Sequence, residues 1–472
     1  MYLSTIGKSL VQVYNDRHGT THDCRSFFDE VYHPLFYDDN NYLMWATNSP
    51  FVQGKSSKSS WDAITRRERR DALHASLAEG EHDASIALGY PASEIKKYAT
   101  TSGQVTDLVI PGNAEDAYAS WIGASCGLGV QGGYNLVFDH PELLYATYEG
   151  WQMYRRYLDD PATMDKFPPN KITSWNGQWM LYRLDDGYRQ TPTLSRMQEV
   201  SDIVLTDKSG SYEINTASWT RLVLAMSRYF EKEDMLHAYV FSLGQTNKTV
   251  GFLNVKLSAG KRLARVYKQL FDGGEYNIKP HEVETLYGSH IKRACELGSI
   301  GLQAMRPQDL QKYFKNPDKS YKLNPPSLKP KKNESEADYS ARRTKAVDKD
   351  RAQLTQFYAF KTWIIAMLNR NKQEVSDLSR NFAQTLVAYR NRARKLDRKT
   401  TIEKHLLGAT NQRAFLEGLS KISNDDSVEA DTLKAANEMR DAAHFTSASD
   451  FGYFVTLLKF DYAYAERNSE AA

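Results

Sequence analysis

The chain has 472 residues, of which 41% are hydrophobic and 12% aromatic, and its formal net charge is +3. This composition specifies a globular protein of two or three domains and excludes a disordered or fibrous chain. The near balance of charge provides no global field to attract nucleic acid, so any such role must rest on local clusters.

The first residues, MYLSTIGKSLVQVYNDRHG, lack a basic run followed by an apolar core, so no secretory signal is expected. Apolar stretches are interrupted by charges well short of a membrane span. Three scattered cysteines, Cys24, Cys126 and Cys295, form no CxxC pair. They fit a reducing, cytoplasmic compartment and argue against a disulfide scaffold or zinc ribbon. The sequon Asn247-Lys-Thr249 therefore carries no weight.

His18-Gly-Thr-Thr-His22-Asp-Cys24 reads as a polar turn after an N-terminal strand. Its His and Cys spacing leaves zinc as the alternative, although Gly19 stands where a zinc-protease helix would need Glu. The stretch from 36 to 51 is aromatic and loop-rich. Gln53-Gly-Lys-Ser56 imitates the end of a phosphate-binding loop, but the required first glycine is Ser49. Lys55 and Lys58 are read as a basic loop that could touch phosphate. Trp61 to about Leu77 is expected to be helical, with Ser60 as its cap.

Cys126-Gly-Leu-Gly-Val-Gln-Gly132 matches GxGxxG. A strand-like NLVFD follows it where a dinucleotide site needs a helix, so a flexible glycine-rich loop is expected. Pro141 opens a helix through Tyr157. Residues 175–184, WNGQWMLYRL, read as a strand pair or a strand with a turn. Trp219 to Phe230 reads as an amphipathic helix. The pairs Asp38-Asp39, Asp159-Asp160 and Asp185-Asp186 are expected to cap turns.

Two strand-like runs then flank Gly244-Gln-Thr-Asn-Lys-Thr249, which predicts a hairpin with a polar tip. Gln245 and Asn247 supply both donors and acceptors, and Lys248 adds charge. Such a tip suits contact with a DNA groove, and these three residues are the candidates for DNA-motif recognition. A helix follows to Phe271. On it Lys261, Arg265 and Lys268 share one face, with Arg262 beside them.

Residues 312–350 are rich in Pro, Lys and small polar residues and read as a linker or mobile loop. From 351 to 472 the chain reads as an all-helix bundle, in which Arg390, Arg394 and Arg398 recur at helical spacing. Together with Lys55, Lys58, Lys261, Arg262, Arg265 and Lys268 they form the candidate phosphate-binding set. The expected fold is therefore α+β: a mixed N-terminal domain over 1–311, a basic linker over 312–350, and a C-terminal helical bundle over 351–472. No catalytic residue, metal or other cofactor is expected. An enzyme using the glycines at 127–132 or the His18/His22/Cys24 cluster, and a protein-only scaffold, are the alternatives.

The hairpin SLGQTNKTVGF and the basic helix AYRNRARKLDRK, set in this domain order, resemble the large subunit of type I CRISPR Cascade surveillance complexes. That resemblance implies a non-catalytic protein whose first domain recognises a short motif in target double-stranded DNA and helps to open it. It implies contacts with CRISPR RNA and other Cascade subunits, and a helical bundle that holds the opened strands. A separate nuclease-helicase would act in trans.

Overall fold

The computed structural model describes residues 2–45, 51, 61–78, 113–206, 210–242, 249–271, 275–288, 291–310, 334–368, 372–392 and 395–471. The chain divides into two compact units. The first comprises Met1–Ser258 and His290–Ile300, and the second Ala259–Ser289 and Gly301–Ala472. The mixed-then-helical order follows the sequence reading. Residues 259–289 group with the C-terminal helices.

The first unit begins with helix α1 (Tyr2–His18), not a strand. Its apolar residues Leu3, Ile6, Leu10 and Val11 recur at helical spacing and are buried. Short helices α2 (Cys24–Phe27) and α3 (His33–Phe36) follow, joined by a π-helical turn. The Asp23 carboxylate caps this run by accepting from the Ser26 amide at 2.7 Å. Helix α4 (Ala63–Ala78) is capped by Asp62, which accepts from the Thr65 amide at 2.7 Å. The predicted cap, Ser60, lies outside the described residues.

Helix α5 (Ala114–Ala124) lies antiparallel to α1 at backbone contact. A Cβ on Gly7 would collide with the Ala119 carbonyl, and one on Gly123 with the Leu3 carbonyl. Two glycines on facing helices thus permit an approach that side chains would prevent.

Strands β1 (Leu128–Val130) and β2 (Tyr134–Phe138) form a hairpin, followed by α6 (Pro141–Asp159) and α7 (Ile172–Arg183). The segment expected to be strand is therefore α7. Trp175, Trp179 and Tyr182 follow helical spacing, but Asn176, Gly177 and Gln178 between them are buried too. Burial all round hides the period that would have marked a helix. Trp175 and Trp179 each donate their indole N–H to an α6 carbonyl at 2.7 Å, those of Gly150 and Ala146. These bonds offset the cost of burying the indole N–H groups.

Beyond α8 (Leu194–Gln198) and the small hairpin β3 (Ile203–Leu205)–β4 (Tyr212–Ile214) comes α9 (Trp219–Tyr229). Strands β5 (Met235–Ser242) and β6 (Thr249–Lys256) form the predicted hairpin, and α10 (Leu257–Phe271) starts directly after it. Strand β7 (Ser299–Ile300) completes a five-stranded sheet of order β1-β2-β5-β6-β7, antiparallel except for β6–β7.

In the second unit, α11 (Pro280–Glu284) precedes α13 (Glu336–Met367), and α12 (Ile291–Leu297) belongs to the first unit. Residues 336–350, expected to be linker, form the start of α13. Ser335 caps it by accepting from the Asp338 amide at 3.1 Å. The Ala, Glu, Lys and Arg content that reads as solvated surface is equally that of a strong helix former. Residues 312–333 lie outside the described residues.

Helices α14 (Lys372–Arg392), α15 (Lys395–Thr400), α16 (Gln412–Ser423), α17 (Ala430–Phe445) and α18 (Ala448–Ala471) complete the bundle. Phe382, Leu386, Phe415, Met439, Phe454 and Leu458 form part of its core. Buried ion pairs cross this core. Arg467 grips Asp350 through both nitrogens, with Nη2 to Oδ2 at 2.7 Å, and the Tyr276 hydroxyl donates to the same carboxylate at 2.8 Å. Lys361 pairs with Asp461, which also accepts from Ser379 at 2.6 Å. Asp425 accepts from Arg398 at 2.9 Å and from Tyr389 at 2.6 Å.

Two predictions follow from these contacts. Gly7→Val or Gly123→Val should force α1 and α5 apart and destabilise the first unit by about 3 kcal/mol, toward the upper end of overpacking costs; urea denaturation measures this, and a loss of under about 0.5 kcal/mol would mean the helices adjust freely. In the second unit, the Arg398 and Tyr389 contacts hold the Asp425 carboxyl well below the usual carboxylate range. A depressed folded pKa gives stability that is present above the unfolded value, about 4, and lost as pH falls through the folded one. Asp425→Asn should therefore melt below the wild type near neutral pH, and the gap should close as the solution is acidified below about pH 4. A gap that ignores pH would show that the carboxylate charge is not what stabilises.

Candidate nucleic-acid interface

The β5–β6 hairpin is paired from Met235↔Lys256 to Phe241↔Thr249, with a register shift between Val240 and Phe241. Gly251 sits beside that shift at φ +97°, a conformation that costs other residues strain. Alternation along the strands separates two faces. Leu236, Ala238, Val240, Leu253 and Val255 point into the core. The other face carries Met235, His237, Tyr239, Phe252, Asn254 and Lys256 and grades into solvent toward β6.

On that second face, Phe252 is 61% exposed. Tyr239 lies directly opposite it, with ring centroids 5.4 Å apart. Tyr2, from the start of α1, closes the group at 4.7 Å from Tyr239 and 5.0 Å edge-on from Phe252. Burial and the nearby Asp139 charge push the Tyr2 phenol up to about 12, so its ring carries no charge near neutral pH. His237 and Asn254 pair across the strands at 2.8 Å, and Lys256 is exposed beside them. Three aromatic rings, an amide, an imidazole and a cation on one open sheet face form a surface on which unpaired bases can stack, with a cation for the phosphates.

Sequence reasoning missed this cluster because it looked for charge and amides at the tip. The alternation of Tyr239 and Phe252 with buried neighbours was visible, but the packing of Tyr2 against them was not. The tip candidates Gln245, Asn247 and Lys248 lie outside the described residues, as do Lys55, Lys58 and Arg394.

The remaining cations divide. On α10, Arg265 and Lys268 are exposed opposite buried Leu263 and Val266. Lys261 is half-buried and engaged in a contact of its own. Arg262 donates to the Leu368 carbonyl at 3.1 Å, and burial lowers its pKa. Arg390 and Arg398, expected to present charge to phosphates, are instead 4% and 3% exposed. Arg390 pairs with Glu466 and donates to the Tyr462 hydroxyl at 3.0 Å. Arg398 is held by Asp425, the Tyr389 carbonyl and the Ser427 hydroxyl. The equal spacing of 390, 394 and 398 suggested one continuous face. However, the two described arginines turn into the bundle.

The glycines at 127–132 line a strand and its turn rather than a flexible loop. A Cβ on Gly129 would press on the Thr173 carbonyl of α7 at 2.9 Å, and Gly132 takes φ +95° in the β1–β2 turn. His18 stacks on Tyr14 at 4.2 Å. Cys24 is buried, and its thiol is pushed up by burial and by Glu115. Among the described residues no group of three or more His, Cys, Asp or Glu is placed to hold a metal ion. Asp39, Asp160 and Asp185 do cap turns, accepting from the amides of Asn41, Ala162 and Gly187. Among the described residues no helix is long and apolar enough to cross a membrane.

Because the Phe252 ring is mostly exposed but pairs with Tyr239 and edge-on with Tyr2, Phe252→Ala should cost no more than about 1.5 kcal/mol. Gly251→Ala, at positive φ, should cost about 1–3 kcal/mol. Urea denaturation of both variants checks the pair; a large loss from Phe252→Ala would mean the ring is core and not surface. No family model, curated protein or solved structure matches this chain.

Proposed function

We propose that this protein is a non-catalytic nucleic-acid-binding subunit of an RNA-guided complex, organised like the large subunit of a type I CRISPR Cascade. In this reading the first unit recognises a short motif in target duplex DNA and engages the bases as the strands open. The second unit steadies the opened strands. CRISPR RNA and the other subunits supply sequence specificity and assembly, and a separate nuclease-helicase acts in trans.

The observation that carries this reading is the open hairpin face bearing Tyr2, Tyr239 and Phe252. Flat rings suit any base, because every base has a π-face, whereas hydrogen-bond readout would demand particular ones. The sequence between the same two strands, Gly244-Gln-Thr-Asn-Lys-Thr249, carries the donor and acceptor types a groove contact requires. Arg265 and Lys268 add exposed charge to the second unit, for contacts that position a strand without reading it.

The test is to co-express the tagged chain with its genomic neighbours and a CRISPR array, purify it, and extract nucleic acid. A discrete RNA of uniform length with other subunits retained is expected. The purified assembly should bind DNA with an opened region more tightly than closed duplex, and binding should weaken steeply with salt. Tyr239→Ala with Phe252→Ala should reduce affinity for the opened substrate by roughly 5- to 150-fold, the range for losing one stacked base. A chain that purifies alone, and shows no salt-dependent affinity for nucleic acid, would overturn the reading.

A further inference from the structure

The second unit contains a cavity of about 570 Å³ between the end of α10 and helices α13, α14 and α18. That volume is within the range of small-molecule sites. Its walls are aromatic. Phe271 stacks on Tyr358 with centroids 3.9 Å apart, and Phe357 lies parallel to Tyr464 at 5.2 Å. Its mouth is polar: Arg380, Gln384 and Asn468 are exposed there, one cation and two amides.

Lys361 also lines the cavity, and its side chain is only 4% exposed. Of its three ammonium donors, the hydrogen bonds among the described residues fill one, to Asp461. The other oxygen of Asp461 accepts from Ser379 at 2.6 Å. A buried ammonium with spare donors is costly in an aromatic pocket, and an acceptor from a ligand offsets that cost. Among the described residues the charged groups lining the cavity are Lys361, paired with Asp461 and 6.0 Å from the Phe357 ring centre, and Arg380, which lies 3.7 Å from Asp377 at an exposed position where solvent weakens that pairing. The site therefore favours a flat, acceptor-bearing molecule whose anionic group can compete for Arg380.

We propose that this cavity binds a single nucleotide. Its base lies against the aromatic walls, with a ring nitrogen or carbonyl oxygen accepting from Lys361. Its phosphate faces Arg380, whose guanidinium suits phosphate oxygens in a paired contact. Gln384 and Asn468 supply donors and acceptors to the sugar and base edge. The nucleotide is either free or an unpaired member of a strand. This assignment rests on the second unit alone and does not depend on the hairpin reading.

The test is calorimetry of the full chain with AMP and dTMP, with the matching nucleosides, with inorganic phosphate, and with a short oligo-dT. The monophosphates should bind, the nucleosides more weakly, and phosphate alone not measurably. Arg380→Gln, at an exposed position, should weaken the monophosphates by about tenfold and leave the nucleosides unchanged. Ala388→Trp places a ring in the cavity from an exposed site and should abolish binding of all of them while the circular-dichroism spectrum is retained. Lys361→Met, by contrast, would leave buried Asp461 without its cation and risk unfolding the bundle. Oligo-dT bound more tightly than dTMP, and lost in Ala388→Trp, identifies a strand as the source; dTMP bound more tightly identifies a free nucleotide. No binding at about 1 mM ligand, binding untouched by Ala388→Trp, or inorganic phosphate binding as well as the nucleotides would each overturn the assignment. Mononucleotide binding that survives Tyr239→Ala with Phe252→Ala separates this site from the hairpin face.

Discussion

Helices α1 and α5 meet backbone to backbone at Gly7 and Gly123, and much of the first unit is arranged around that contact. Without Cβ atoms at those two positions, α1 settles deep enough for Leu3, Ile6 and Leu10 to be buried in the aromatic core. The same seating brings Tyr2 to the edge of the sheet, against Tyr239 and Phe252. The open aromatic face is thus a product of helix packing as much as of the strands. A residue at position 2 contributes to a surface built mainly by residues 239 and 252 only because the chain between them is pinned at two glycines.

What the sequence reveals depends on whether a segment has one wet side. The hairpin, α6 and α10 show clear alternation or helical spacing because water faces one side of each, and each is found where the pattern puts it. Helix α7 is buried on nearly every side, so its pattern is uniform and reads as strand. The start of α13 fails in the opposite way, since it is polar enough to resemble a linker while its residues favour helix. The candidate surface was half legible. The strands could be located, but the partnership of Tyr2 with Tyr239 spans most of the first unit and leaves no local trace.

Charge was the least legible feature. Arg390 and Arg398 look like a basic stripe in one dimension, because they recur at helical spacing. Spacing does not say which face of the helix is the wet one, and here both described arginines are internal. Their role is to satisfy Glu466 and Asp425, carboxylates that would be costly to leave alone near the core. Exposed charge is carried instead by residues such as Arg265 and Lys268, whose apolar neighbours on α10 face inward.

The placement of the buried ion pairs has a consequence for synthesis. Asp350 and Lys361 lie on α13, yet their partners Arg467 and Asp461 lie on α18, 117 and 100 residues later. At ribosomal elongation rates, α13 waits roughly 5 to 20 s for the charges that complete it. During that interval Phe357, Phe360 and Trp363 still await their α18 contacts, the rings of Tyr464, Phe460 and Tyr453, and the ionised groups of α13 resist collapse into a dry core. The second unit is therefore closed by its last helix, and nascent chains halted before α18 should be the form most dependent on chaperones.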